Sequence, residues 1–151
     1  MRLILAALTL AAMLASPAAA DGPPRKQLIV PAKKAVSWKV VDRNAAFTPT
    51  QAEVDQADAA LPKAFDAFAQ FGVEGPLGVR SRWPDYDRQY FGVVIDGRRT
   101  IFINAFCQAH SANPEKVYVE NDFDGPCSFR AWYDIQDGSV TRMAVSESYI
   151  P

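Results

Sequence analysis

Histidine and cysteine are scarce in this chain. Its 151 residues hold one histidine, His110, and two cysteines, Cys107 and Cys127. A structural zinc site needs four ligands, so this set offers no metal centre. A Cys–His nucleophile needs a third group to orient its base. His110 follows Cys107 by three residues in INAFCQAH, but no such third group is identifiable. A GxSxG elbow is also missing, which leaves serine hydrolase chemistry without its usual frame. Charge of one sign is not in excess: 16 basic residues face 17 acidic ones, for a net charge of −1. A nucleic-acid surface wants a basic excess, so no nucleic-acid partner is expected. Beyond the N-terminus no apolar run reaches the length of a membrane span.

The one long apolar run opens the chain, in MRLILAALTLAAMLASPAAADGPP. Arg2 precedes Leu3 to Ala15, Ser16 and Pro17 break the run, and Ala18 to Ala20 supply small residues before a cleavage point at Asp21. This is the three-part pattern of a secretory signal, residues 1–20, rather than a lasting membrane span. The protein is therefore expected to be exported, to the periplasm or the medium. Without the signal 131 residues remain, the length of one domain. Two cysteines in an oxidising compartment pair. The expected Cys107–Cys127 disulfide closes a loop of 20 positions, worth about 3 kcal/mol in the chain-entropy model. It would also remove the thiolate, leaving His110 as a residue of a surface loop.

Residues 21–34, rich in Pro and Lys, read as an extended N-terminal segment, and residues 35–151 as a single α+β domain. Val36, Trp38 and Val40 alternate within Ala35 to Val41, which predicts a strand with one buried face. In FTPTQAEV, Thr48 is the expected helix cap, with Pro49 at the first helical position and Gln51 completing a capping box. Val54, Ala57, Leu61, Phe65 and Phe68 then form one apolar helical stripe. Pro62 is expected to kink or split that helix, and Gly72 to end it. Asp96-Gly97 and Asp137-Gly138 each signal a two-residue hairpin turn. The first sets Phe91 opposite Phe102. The strand through Ile101 to Cys107 is apolar on both faces, which predicts a central position. Lys116 to Glu120 reads as a further short strand. The sum is a two-layer α+β fold, a helical segment on a four- to five-stranded antiparallel sheet. Its element order resembles that of cystatin-like folds.

The stretch YFGVVIDGRRTIFINAFC, Tyr90 to Cys107, resembles a hairpin in small exported bacterial proteins of unassigned function. The shared part is the hairpin followed by an Ile-x-Ile-Asn-x-Phe-Cys strand. The resemblance implies an exported bacterial protein, and it carries no activity and no site residues.

The candidate binding surface is VRSRWPDYDRQYFG, where Arg80, Arg82 and Arg88 interleave with Trp83, Tyr86 and Tyr90. Arginine and aromatic residues are enriched where proteins bind tightly. A competing reading has Asp85 and Asp87 neutralise the arginines while Trp83 covers the core edge. ENDFDG mimics the start of a calcium loop through Glu120, Asp122, Asp124 and Gly125, but its twelfth position is Ala131, which cannot ligate. Asn104, polar in a central strand, is expected to bond backbone. The expected function is an exported, non-enzymatic binding protein acting on another protein, as an inhibitor or immunity-type protein, with no cofactor. Two alternatives stay open: a small-molecule-binding module using the cavity between helix and sheet, and a hydrolase built on carboxylates alone.

Overall fold

The computed structural model describes residues 26–69, 79–80, 82–107, 113–120 and 128–145. The signal segment, Gly72, His110, Asp122, Asp124, Gly125 and Cys127 lie outside them.

A six-stranded mixed sheet carries the fold. Strands β3 (Asp87–Ile95), β4 (Arg98–Phe106), β5 (Ser128–Asp134) and β6 (Ser139–Val145) form an antiparallel meander. The free side of β3 takes two short strands: β1 (Gln27–Ile29) runs parallel along Arg88 to Tyr90, and β2 (Ala46–Phe47) antiparallel along Gly92 and Val93. Gly92 is required there. A Cβ on it would lie 2.4 Å from the Phe47 carbonyl oxygen, so any side chain would push β2 away.

The first hairpin matches its sequence signal. Asp96 (φ 51) and Gly97 (φ 76) both take positive φ, and Phe91 pairs with Phe102. The second turn is longer than the Asp137-Gly138 signal suggested. Ser139 pairs with Asp134, so residues 135–138 form the loop and only Gly138 (φ 63) needs the left-handed region. Asp134 holds this loop by accepting from the backbone N–H groups of Gln136 (2.8 Å) and Asp137 (3.0 Å). Side-chain chemistry thus replaced the two-residue turn.

Helix α2 (Gln51–Ala69) covers one sheet face. Its capping box is Thr50 with Glu53, two residues later than Thr48 with Gln51. Glu53 N–H donates to Thr50 Oγ1 (3.3 Å) and Thr50 N–H to Glu53 Oε2 (2.8 Å). Thr48 Oγ1 instead accepts from Ala32 N–H at 2.9 Å. The helix runs unbroken through Pro62. Leu61, Ala64 and Phe65 on either side are buried against the sheet, and that packing offsets the missing N–H. Val54, Ala57, Leu61 and Phe65 meet Tyr86, Tyr90, Ile101, Ile103, Phe129 and Ala131 in the main core.

The segment expected to be a strand at Ala35 to Val41 is instead helix α1 (Ala32–Ser37) and its exit turn. A boundary between Lys34 and Ala35 would cut this helix, and β1 lies in the segment expected to precede the domain. Ala-Lys-Lys-Ala are good helix formers, and the Trp38/Val40 alternation belongs to the turn after them. That turn is a Schellman motif: Val40 N–H donates to the Ala35 carbonyl (3.1 Å) and Lys39 N–H to that of Val36 (3.0 Å). Lys39 takes the left-handed conformation, φ 59, a position that glycine usually holds. α1 and its turn pack on the opposite sheet face through Val30, Ala35, Val41, Phe91 and Phe102. Lys116 to Glu120 is not a strand: Lys116 and Val117 belong to a turn, both donating their N–H to the Asn113 carbonyl, and residues 118–120 pair with no strand.

Candidate functional site

The six residues expected to form one projecting surface are divided by the fold. Tyr86 and Tyr90 are fully buried in the main core, Tyr86 5.7 Å from the Phe129 ring. Arg88 is also buried, its guanidinium 5.0 Å from the centre of the Trp83 ring. Arg80 and Arg82 are exposed, and Arg80 pairs with Asp66 at 2.8 Å. Trp83 is half-buried and packs against the core edge. Tyr86, Arg88 and Tyr90 alternate at period two on β3 and its approach, so they share the face under α2. The sequence did not show this because β3 begins at Asp87, inside the stretch expected to form one binding surface.

These buried groups form a polar cluster around Asp58 of α2. Its Oδ1 accepts from the Tyr90 hydroxyl at 2.8 Å, and its Oδ2 from Gln27 Nε2 at 2.7 Å. Arg88 approaches Oδ2 at 3.7 Å and donates to the Trp83 carbonyl at 3.3 Å. Burial pushes the Asp58 carboxyl above its ordinary range, and the facing Arg88 partly opposes that. Tyr90 is pushed far up, chiefly by burial and then by the Asp58 charge. Both carboxylate oxygens are thus engaged with structural partners, and the cluster ties β1 to α2. Asp134 and Asp137 come close together, but both clamp Arg98. Among the described residues, no group of three His, Cys, Asp or Glu could hold a metal, and Cys107 is not a free thiol.

An open concavity lies on the other face of the sheet. Phe91, Phe102, Trp132 and Arg142 stand opposite one another on four successive strands. Phe91 stacks on Phe102 (5.7 Å between centroids), Phe102 on Trp132 (5.0 Å), and the Arg142 guanidinium lies 4.6 Å from the Trp132 ring centre. These spacings are close to the distance between strands, so the ring planes stand upright on the sheet; Phe91 is fully covered, and Phe102 and Trp132 reach the concavity. Trp38, from the end of α1, meets Phe91 edge-on at 6.4 Å, and Tyr118 does so at 5.7 Å. Between these walls runs a groove of about 500 Å³, lined by Trp38, Val93, Phe102, Tyr118 and Trp132, with Lys39 and Glu120 at its margin.

One wall of the groove is held by side-chain amides rather than by a strand ladder. Gln89 Nε2 donates to the carbonyls of Pro114 (2.8 Å) and Val117 (2.7 Å). Its Oε1 accepts from Asn104 Nδ2 and from Val119 N–H, both at 3.1 Å. Asn104 Nδ2 also donates to the Val119 carbonyl at 2.9 Å. Both amides are fully buried, and together they hold residues 113–120 across the sheet. The expectation that Asn104 bonds backbone holds. Gln89 was missed, although an amide at an inward-facing strand position is a signal that something polar must meet it.

Beneath α2 the space is filled by Phe65, Tyr86, Tyr90 and Phe129, so the concavity sits on the opposite face from a helix–sheet cavity of the expected kind. Among the described residues no helix is long and apolar enough to cross a membrane. Compared with family models, curated proteins and solved structures, the chain matches none of them.

Proposed function

We propose that this chain is an exported, non-enzymatic binding protein that takes a small, largely apolar molecule in the groove beside α1. The observation that carries this reading is the groove itself. It is a concavity of about 500 Å³ with Trp38, Phe102, Tyr118 and Trp132 on its walls and floor and few charges at its margin. Small-molecule sites share that size and that composition of apolar walls with few polar groups. Its walls are braced: the aromatic row stacks across four strands, and buried amides fix the segment bearing Tyr118. Such bracing reduces what a ligand must order on binding. An inhibitor acting on another protein through Arg80, Arg82, Trp83, Tyr86, Arg88 and Tyr90 is less well supported, because Tyr86, Arg88 and Tyr90 are interior. Export to the periplasm or medium and a Cys107–Cys127 disulfide are parts of the same proposal, resting on residues 1–20 and on the absence of a free thiol at Cys107.

The test uses N-phenyl-1-naphthylamine, an uncharged dye that fluoresces in apolar sites. The oxidised mature protein is expected to bind it saturably at one site. Ile95 lies at the lip and is 41% exposed, so Ile95→Asp should leave stability within about 0.5 kcal/mol. The same change should weaken dye binding at least tenfold. Equal binding by the wild type and by Ile95→Asp would overturn the assignment of the groove.

A further inference from the structure

We infer that the groove's ligand is a short aromatic zwitterion, an aromatic amino acid or a dipeptide that carries one. This deepens the proposal that the groove binds a small molecule, and rests on it. Of the residues lining the groove, eight are apolar or aromatic and two are charged, Lys39 and Glu120, one of each sign. Lys39 and Glu120 form no ion pair with each other, nor with any other of the described residues. An apolar groove that carries one ammonium and one carboxylate, neither ion-paired among the described residues, complements a ligand with both charges and an apolar body. An anionic ligand would leave Glu120 opposed, and a cationic one would leave Lys39 opposed.

The upright aromatic row adds the body of the ligand. Phe102 and Trp132 stack on each other, so their hydrogen-bearing edges, which are positive, line the floor. An edge is met best by the face of another ring. A ligand phenyl group lying over these edges makes the same edge-to-face contact that Trp38 and Tyr118 already make with Phe91.

Lys39 supplies an independent indication. It is the left-handed residue of the Schellman turn, φ 59, where a side chain is disfavoured and glycine is not. Such strain is retained where a side chain is needed, and here the strained position puts an amine at the groove's margin. Lys39→Gly keeps the turn and removes the amine.

The experiment is calorimetric titration of the oxidised mature protein with L-alanyl-L-phenylalanine, its N-acetyl form and its C-terminal amide. The dye N-phenyl-1-naphthylamine serves as a competitor. The free dipeptide is expected to bind at least tenfold more tightly than either blocked form, and to displace the dye. In Lys39→Gly the preference over the amide should vanish while the preference over the acetyl form remains. Glu120→Gln should show the reverse. Lys39→Gly should also melt higher than the wild type. If the dye binds in the groove but all three peptides bind equally or not at all, the zwitterion is wrong and the groove reading stands. If the dye is not bound either, both fall.

Discussion

Asn104 donates its side-chain amide to Gln89 across the β3–β4 pair at 3.1 Å, and this contact sets where the groove's third wall lies. Between them, the two amides satisfy one buried N–H and three carbonyls of residues 114–119. Replacing Gln89 by Leu leaves the Val119 N–H and the carbonyls of Pro114 and Val117 without these partners, while Asn104 still holds the Val119 carbonyl. The expected cost is about 2–4 kcal/mol in chemical denaturation. Amide exchange at residues 115–119 should accelerate before the strands open, and dye binding should weaken because Tyr118 loses its position. Unchanged exchange in that segment would show that it is held by something other than these amides.

Acid sensitivity should be divided between two carboxylates shifted in opposite directions. Hydrogen bonds, the Arg98 guanidinium's first, hold Asp134 down to about 2, from an ordinary 3.8. A lowered value in the folded state contributes stability above 3.8 that is lost as pH falls toward 2. Asp58 is raised by burial, so its contribution is complete below 3.8 and is lost as pH rises through its folded value. In melting curves taken from pH 7 to pH 2, Asp134→Asn should start lower and converge on the wild type toward pH 2. Asp58→Asn should fall more steeply with acid than the wild type, because the opposing contribution is gone. Curves parallel to the wild type in both variants would refute this division.

The export proposal has a direct chemical readout. The protein recovered from the periplasm or medium should begin at Asp21 and weigh two hydrogens less than its sequence predicts. Reduction should cost about 3 kcal/mol of stability if the Cys107–Cys127 loop is closed. A chain that retains residues 1–20, or one with two thiols reactive in the unfolded state before any reduction, would refute the corresponding part.

Much of the architecture was legible because its signals are local. The period-two strands of the first hairpin and the Val54 to Phe65 stripe each follow from side-chain direction within one element, and the Phe91–Phe102 pairing from the two-residue turn that joins its strands. Errors came where two local signals competed. Val36, Trp38 and Val40 alternate like a strand, yet the helix-forming residues before them and the Schellman turn prevailed. Thr48 and Thr50 both fit a cap, and Glu53 selected Thr50 because its carboxylate reaches the Thr50 N–H. Asp137-Gly138 looked like Asp96-Gly97, but Asp134 captured the turn's N–H groups and lengthened it.

The candidate site was far less legible. Arg88 and Tyr90 have the composition of a binding loop, and only the placement of α2 over β3 makes them interior. The groove draws Trp38 from α1, Phe102 and Trp132 from β4 and β5, and Tyr118 from the segment that Gln89 holds. The sequence by itself determined the alternation that gives β4 two apolar faces, the helix stripe and the turn chemistry, since these depend on neighbours within a few residues. Only the tertiary structure decided which face α2 would cover and which would stay open. It also decided that Phe91, Phe102, Trp132 and Arg142 would fall in one row. Those outcomes depend on register between strands far apart in the chain, and a shift of one residue would have sent each side chain to the opposite face.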